Sequence, residues 1–345
     1  MTDTMLDRRA VLAGLGASGL AACADAAPPP APKSEAGLTW ADAPALPEPV
    51  QEIYPTLHRG QIHLAGGFVA AGGQITGPTA AHNAFTPGEA AWSPLAPLPR
   101  SRHHPQLISF KGGLFAIGGF ESPSTEAVWV MQSSAWAYDD YDDVWTDATA
   151  LPQPSGECVT ADLGGVLHLC GGRVPAGEAN AAWTDHTDTD AHFVLISKDG
   201  AWETARPAPT KRNSAAAVVL DGAWHIVGGR SVAGGNTPVH EVYDPAEDRW
   251  RTAAPMPQGQ GGLAAGLLNG EIVAFGGEFF DNGGGVYPET WIYDPAADAW
   301  RAGPDMRSPR HGLGGVTLGG RIYAIGGALR VGGSETSAVV ETLEA

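Results

Sequence analysis

The stretch Asp221-Gly-Ala-Trp-His-Ile-Val-Gly-Gly229 decides the fold, because five other versions of it recur along the chain. In each version a short apolar run ends in a Gly-Gly doublet. The first glycines of the doublets are Gly66, Gly118, Gly171, Gly228, Gly276 and Gly326, spaced by 48 to 57 residues. A period of this length indicates a repeat architecture. The apolar runs are too short for helices and are typical of buried strands.

A tight turn precedes each run, and two further strands follow it. Gly stands six residues before the first glycine of every doublet, as in Lys111-Gly112, and such X-Gly pairs suit a two-residue type I′ hairpin. After the doublet comes a loop, and then a Tyr with a Trp seven residues later, as at Tyr243 and Trp250. Each unit therefore has four antiparallel strands, which make one blade of a propeller.

This pattern resembles the kelch family over residues 38–345, and the resemblance predicts an all-β fold, a six-bladed β-propeller. The chain ends on a third strand, Ser337-Ala-Val-Val-Glu-Thr-Leu343, with no Trp after it. We therefore expect the strand around Trp40 to complete the last blade and close the ring. Closure removes the sheet edges that otherwise invite aggregation.

The acidic composition of the chain limits the classes of partner that it can bind. The net charge of −18 argues against nucleic acid and against anionic membrane surfaces. The repeat makes one domain of the 345 residues, and we expect a monomer.

The N-terminal sequence indicates a targeting segment. Asp7-Arg-Arg-Ala-Val-Leu12 is similar to a twin-arginine export signal, and residues 1–23 form the predicted signal peptide. Leu20-Ala-Ala-Cys23 resembles a lipobox, which would leave a lipidated Cys23 as the only membrane attachment, although ordinary signal cleavage stays open. Residues 24–37 form a Pro-rich linker. We expect a periplasmic or outer-envelope location.

One face of the propeller, the mouth face, carries the loops that follow the doublets and the segments that enter each innermost strand. Arg102, Arg212 and Arg310 stand sixteen residues before a doublet in alternate blades. Such a ring predicts an anion site, because Arg matches a carboxylate bidentately. The open alternative is a structural role in packing. His103, Glu157 and His311 lie nearby in the repeat and are the candidate catalytic acids and bases.

Two loops on this face combine aromatic and polar residues. The longest loop contributes Asn180, Trp183, Asp185 and His186 as candidate ligand contacts, and the loop after the fifth doublet contributes Glu278. Aromatic and acidic residues around a concave site suit a carbohydrate or a protein partner equally. No glycine-pinned calcium loop occurs, and we expect neither a metal nor another cofactor.

Three functional interpretations follow. The first is binding of an acidic small molecule or an envelope protein at the mouth face. The second is a carbohydrate-active isomerase, because periplasmic N-acetylneuraminate epimerases are kelch propellers and the resemblance extends to export. The third, and weakest, is a copper oxidase similar to galactose oxidase, which needs a Tyr, His and Cys constellation that this sequence does not offer.

Overall fold

The computed structural model describes residues 37–344, so the predicted signal peptide, Cys23 and nearly all of the predicted linker lie outside the described residues. Within that range there are six four-stranded antiparallel sheets, here called blades 1 to 6. From the innermost to the outermost strand they are Thr56–His58, Gln61–Ala65, His82–Phe85 and Ser93–Leu95 (blade 1); Gln106–Phe110, Gly113–Ile117, Ala135–Asp139 and Val144–Ala148 (blade 2); Val159–Leu163, Val166–Cys170, His192–Leu195 and Trp202–Thr204 (blade 3); Ala216–Leu220, Ala223–Val227, His240–Asp244 and Arg249–Thr252 (blade 4); Ala264–Leu268, Glu271–Phe275, Thr290–Asp294 and Ala299–Ala302 (blade 5); and Gly314–Leu318, Arg321–Ile325, Val340–Glu344 and Thr39–Asp42 (blade 6).

Shorter elements connect the second and third strands of several blades on the mouth face. They are the strands Phe68–Ala71 and Gln74–Pro78, the pairs Phe120–Glu121 with Val130–Met131, Arg173–Pro175 with His186–Asp188 and Glu278–Phe279 with Gly285–Val286, and the 3-10 turns Trp183–Asp185 and Asp281–Gly283. The strand Val50–Gln51, which precedes the innermost strand of blade 1, pairs with Phe68–Ala71. No helix in the described part of the chain has the length and apolarity that a bilayer crossing requires.

Successive blades are joined by a repeated backbone hydrogen bond. The second glycine of each doublet donates to the carbonyl of the residue that stands sixteen positions before the next doublet, as from Gly67 to Arg102 at 2.8 Å. The same bond links blade 6 to blade 1, from Gly327 to Val50 at 2.8 Å. Only glycine fits at the first position of the doublet beside this bond. A Cβ on Gly66 would lie 2.5 Å from the Arg102 carbonyl oxygen, and the φ of Gly66 is +75°.

In five of the six blades a phased tryptophan also ties the blade to the one before it, whereas Trp202 Nε1 of blade 3 has no hydrogen-bond partner among the described residues. Trp40 lies opposite Leu343 in the outermost strand of blade 6, and its indole N–H donates to Pro304 of blade 5 at 3.1 Å. The equivalent bonds run from Trp92 to Pro44, from Trp145 to Ala96, from Trp250 to Arg206 and from Trp300 to Ala254. The innermost strands contact one another in cyclic order, so the sheets surround a central channel.

Buried histidine pairs fill the space between three pairs of blades. In the first, His82 Nδ1 lies 3.3 Å from the Ala96 carbonyl and must donate, so its Nε2 accepts from His63 Nδ1 at 3.0 Å. The same one-way chain occurs at His168 with His192 and at His225 with His240. Burial lowers the pKa of these imidazoles, to about 4 for His63. Each chain requires the accepting ring to be neutral, and the lowered pKa of the donor ring keeps that ring neutral at pH 7.

Candidate functional site

On the mouth face of each blade, a backbone bridge joins the segment before the innermost strand to the segment after the second strand. The segment that enters the innermost strand pairs with the residue after the doublet, as His103 does with Phe120 and Asn213 with Arg230. This bridge fixes the side chain that follows the doublet at the mouth face. Four of these residues line one cavity, namely Phe68, Arg173, Arg230 and Glu278.

That cavity, here called the mouth cavity, has a volume of about 890 Å³. Pockets of roughly 300–1,000 Å³ usually enclose a drug-sized ligand. Its lining includes Gln51, Glu52, Phe68, Ile75, Trp129, Glu157, Arg173, Trp183, Arg230, Asn236, Glu278, Phe279, Phe280 and Tyr287. Glu157, Arg173 and Glu278 are buried, whereas Trp183 and Phe280 are exposed, so a polar floor lies beneath an aromatic rim.

A ring of left-handed residues, here called the belt, contributes part of the cavity floor. Fourteen residues before each doublet the backbone has positive φ, at Glu52, His104, Glu157, Ser214, Gly262 and Gly312. Backbone hydrogen bonds connect neighbours in the belt, as from His104 N to Glu52 O at 3.0 Å. Four of these six are not glycine, although non-glycine residues rarely adopt this conformation. Such strain is typical of functional sites.

A chain of hydrogen bonds fixes the protonation state of His104. His103 Nε2 lies 2.9 Å from the Val128 carbonyl and donates to it, and burial keeps the pKa of His103 far below its ordinary value. Its unprotonated Nδ1 therefore accepts from His104 Nδ1 at 2.7 Å. His104 Nε2 then faces Glu52 Oε2 at 2.8 Å, and only a protonated nitrogen makes that contact favourable. His104 is accordingly an imidazolium.

Glu52 lies between two histidines and is held ionised. Burial alone would raise its pKa, but the charges of His104, His311 and Arg230, with the hydrogen bond from His104, hold that pKa well below its ordinary value. His311 Nε2 donates to the Arg330 and Gly332 carbonyls at 3.0 and 2.9 Å. Its Nδ1 lies 3.5 Å from Glu52 Oε1 and 3.4 Å from Glu278 Oε1.

Glu157 and Arg173 form the second charged group of the floor. Ser214 donates to Glu157 Oε2 at 2.6 Å, and Arg173 Nε lies 3.2 Å from the same oxygen. Burial would raise the pKa of Glu157, but Arg173, His104 and Arg230 lower it further than burial raises it. Among the described residues, neither Glu157 Oε1 nor Arg173 Nη1 has a hydrogen-bond partner, although both atoms are buried.

Arg230 forms the third group, opposite Arg173 in the lining. Its Nη1 lies 2.5 Å from Glu278 Oε1. Burial would lower the pKa of Arg230, but the charges of Glu278, Glu157 and Glu52 outweigh burial and raise it. The carboxylates of Glu52, Glu157 and Glu278 are thus matched in number by the cationic groups of Arg173, Arg230 and His104. The Nη1 of Arg173, which has no hydrogen-bond partner among the described residues, is the group that can receive an anionic ligand.

The arginines singled out in the sequence lie elsewhere, and we call them the scaffold arginines. Arg310 is buried, with Nη1 2.6 Å from Glu341 and Nε 2.7 Å from the Gly326 carbonyl. Arg102 pairs with Glu121 at 2.7 Å, and Arg212 pairs with Glu241 at 3.0 Å. Among the described residues that line the mouth cavity, none of these three arginines occurs. The geometry favours the packing role that the sequence left open.

The long loop divides the predicted contacts in two. Trp183 lines the mouth cavity, whereas Asn180, Asp185 and His186 hold the loop itself. Asn180 exchanges two hydrogen bonds with the Met131 backbone, each at 3.0 Å, and Asp185 accepts from the Ala181 and Ala182 N–H groups. His186 is buried, with Nε2 3.4 Å from Asn180 Oδ1.

The predicted acids and bases also separate. Glu157 and Glu278 line the cavity. His103 is stacked on Phe68 at a ring distance of 3.9 Å and positions His104, and His311 lies behind Glu52 and Glu278. In residues 37–344 no group of three or more His, Cys, Asp or Glu side chains is arranged to hold a metal ion.

Sequence reasoning missed Glu52, Arg173 and Arg230 as site residues. Two repeat positions carry them, the residue fourteen before the doublet and the residue directly after it. At both positions the residue type varies from blade to blade, while the surrounding pattern is constant. Variable polar residues at fixed positions of an otherwise regular repeat are the signal that points to this cavity.

Comparisons with known proteins agree with the fold. No family model matches the chain. It is 29% identical to mouse Kelch-like protein 35 over 144 residues, which are 42% of this chain and 22% of that protein. It is 30% identical to human Kelch-like protein 33 over 140 residues, 39% of this chain and 24% of that protein. The chain thus matches under a quarter of the length of these relatives.

A solved structure titled "Structure of YjhT" has the same fold, with a TM-score of 0.72 and 17% sequence identity over 87% of this chain and 95% of that one. The four-stranded sheets around a channel define the class as a β-propeller. The sequence similarity to these Kelch-like proteins and the shared fold support a kelch-repeat propeller.

Proposed function

We propose that the protein binds a small acidic ligand of the sugar-acid class in the mouth cavity. The observation that carries the proposal is the buried Arg173, whose Nη1 lacks a hydrogen-bond partner and whose side chain lines the cavity. A buried, unsatisfied polar atom is destabilising. A ligand carboxylate supplies the missing acceptors, and its hydroxyls can pair with Glu157 Oε1 and the neighbouring carboxylates.

Thermal shift and calorimetry test this proposal on the purified protein. The panel is N-acetylneuraminate, galacturonate and glucuronate, with galactose and N-acetylmannosamine as neutral counterparts. A ligand that binds only the folded state raises the unfolding midpoint. We expect a shift with at least one acid and none with the neutral sugars.

Two variants assign the binding to the cavity. Arg173→Gln should weaken the acid at least about tenfold, which is the loss of one charge-assisted hydrogen bond. Arg249→Gln is the matched control, because Arg249 is exposed on the outermost strand of blade 4 and pairs with Glu247. Failure of every acid to bind, or equal binding of the neutral sugars, would overturn the proposal and leave an envelope protein as the partner.

A second candidate is an isomerase that exchanges the two anomers of such a sugar acid. The observation that favours it is Glu157 Oε1, a free acceptor in the cavity, 3.8 Å from the protonated Nε2 of His104. Ring opening needs a base for the anomeric hydroxyl proton and an acid for the ring oxygen, and closure reverses both steps. NMR exchange between anomers should accelerate with the wild type and fall with Glu157→Gln.

We propose that this function is exerted in the periplasm or outer envelope, on the strength of the twin-arginine motif and the lipobox. In a bacterial host, Arg8→Lys with Arg9→Lys should retain the full chain in the cytoplasm. Cys23→Ala should move it from the membrane fraction to a soluble one. An unchanged distribution in either case argues against the corresponding signal.

A further inference from the structure

The rim of the mouth cavity exposes two large aromatic side chains. Trp183 is 50% exposed and Phe280 is 63% exposed, although most large apolar side chains of this propeller are buried. The first belongs to the long loop of blade 3, and the second to the loop of blade 5. Both line the same cavity, so their exposure is concentrated around one opening.

The Trp183 turn is held in place rather than loosely exposed. Asp185 accepts from the Ala181 and Ala182 N–H groups at 2.8 and 2.9 Å, and its own carbonyl accepts from Ala176 at 2.8 Å. The Asn180 amide clamps the start of the turn to Met131 of blade 2. Many hydrogen bonds therefore present a tryptophan to solvent, which is the preorganisation that binding surfaces use.

The Phe280 ring lies beside Arg230 of the cavity floor. The guanidinium carbon of Arg230 lies 5.7 Å from its ring centre, and the adjacent Phe279 contacts Tyr287 at a ring distance of 5.0 Å. The aromatic rim thus continues directly into the charged floor through Arg230. A ligand that contacts both Phe280 and the floor therefore contacts an aromatic ring and charged groups.

Size and chemistry together identify the ligand class. The cavity volume of about 890 Å³ exceeds what a single sugar ring fills, because pockets near 1,000 Å³ hold whole drug-sized molecules. The guanidinium of Arg173, with its unpartnered Nη1, suits a carboxylate. The faces of Trp183 and Phe280 suit the C–H face of a sugar ring, since aromatic faces are electronegative.

Resting on the proposed function, we propose that the cavity takes an acidic oligosaccharide of two or more rings. One acidic ring lies on the floor with its carboxylate at Arg173. The next ring stacks on Trp183 or Phe280. The two aromatic residues are then determinants of chain length, whereas Arg173 determines acidity.

Calorimetry with ligands of increasing length tests this. The probes are galacturonic acid with its α1,4-linked dimer and trimer, and N-acetylneuraminic acid with its α2,8-linked dimer. We expect binding to tighten about three- to tenfold from one ring to two, as one aromatic contact provides. Trp183→Ala or Phe280→Ala should remove that gain while changing the affinity for the monosaccharide less than about twofold. Tyr141→Ala is the control, because Tyr141 is 95% exposed in the outer hairpin of blade 2, at the opposite ends of the strands.

The outcomes separate the two proposals. Binding of a monosaccharide acid with no gain from length, or a gain that survives both rim variants, overturns the oligosaccharide inference alone. Failure of every acid of every length overturns both. Tight binding of pentaglutamate that depends on Trp183, without oligosaccharide binding, would assign the rim to an acidic peptide instead.

Discussion

The scaffold arginines and the cavity arginines have the same side chain in opposite circumstances. Arg310 pairs with Glu341 and donates to the Gly326 and Ala324 carbonyls, all within blade 6. Arg173 has one carboxylate neighbour, Glu157, and a buried Nη1 without a partner. Position in the repeat, not residue type, therefore separates a framework arginine from an arginine of the cavity. Arg310 is saturated within its own blade, whereas Arg173 keeps its unpartnered Nη1 in the lining of the mouth cavity, where a ligand can reach it. Arg212 also has buried nitrogens without a hydrogen-bond partner among the described residues, but it does not line that cavity.

The largest effect should come from acid acting on the framework. The histidine pairs are neutral in the folded protein, with pKa values of about 4 for His63, His82, His168 and His225 and about 3 for His240. The unfolded chain binds protons near pH 6.5, so stability is complete above that pH and falls as the pH drops toward 4. At about 1.4 kcal/mol for each pKa unit, a shift from the ordinary 6.5 to about 4 corresponds to a loss of about 3 kcal/mol for each imidazole.

Urea titrations at pH 7, 6, 5 and 4 measure this loss. The variant that carries both His225→Gln and His240→Gln should lower stability at pH 7 but show a shallower pH dependence, because one of the three pairs is gone. An identical pH slope in that variant would mean that carboxylates, not the histidine pairs, cause the acid sensitivity.

The second prediction tests whether a scaffold arginine contributes to stability and not to ligand binding. Arg310→Ala leaves the buried Glu341 carboxylate unpaired, and we expect a loss of about 3–5 kcal/mol in the free energy of unfolding. Urea denaturation checks it, with Arg249→Ala as the exposed control. If the folded fraction of Arg310→Ala binds the acid as tightly as the wild type, Arg310 belongs to the framework. Lost affinity in that fraction would return it to the site.

The third effect is the converse case. Arg173→Gln should cost less in the free energy of unfolding than Arg310→Ala, because Glu157 keeps the Ser214 hydroxyl and the charges of His104 and Arg230, and the unsatisfied Nη1 is removed. The same urea titration measures it beside Arg310→Ala. A loss as large as that of Arg310→Ala would erase the distinction between the two sets.

The contrast also explains how far the sequence predicts the structure. The doublets, the X-Gly turns and the phased tryptophans are local signals repeated along the chain, and they predict the kelch propeller fold. The predicted pairing of the Trp40 strand with the last strand follows from the same count of units, and the described residues contain it. The strands, the turns and the pairing of the last blade all follow from local patterns that each repeat contains.

The site depends on side-chain direction, which the repeat does not encode. Arg102 and Arg310 stand at the correct end of their blades, but their guanidiniums extend along their own sheets toward the Gly118 and Gly326 carbonyls. The left-handed backbone at Glu52 and Glu157, which forms the belt, has no marker in the sequence, because glycine occupies that position in only two blades. The bridge that fixes Arg173 at the mouth face is equally invisible before folding.

The smallest effect isolates the belt from the cavity with a matched pair of glycines. Gly262 and Gly312 occupy the same repeat position with φ of +70° and +59°, so alanine at either costs about 1 kcal/mol in stability for the left-handed backbone. Their surroundings differ. A Cβ on Gly262 has its nearest neighbour at 3.7 Å, whereas a Cβ on Gly312 lies 2.8 Å from the Glu52 carboxylate.

Gly312→Ala must therefore move Glu52 away from His104, while Gly262→Ala leaves that contact intact. We expect similar unfolding midpoints for the two variants but weaker binding of the acid only in Gly312→Ala, by about two- to tenfold, since the hydrogen bond from His104 is disturbed. Calorimetry on both variants decides the point. Equal affinities would mean that Glu52 and His104 support the belt alone, and would leave the cavity arginines as the whole of the anion site.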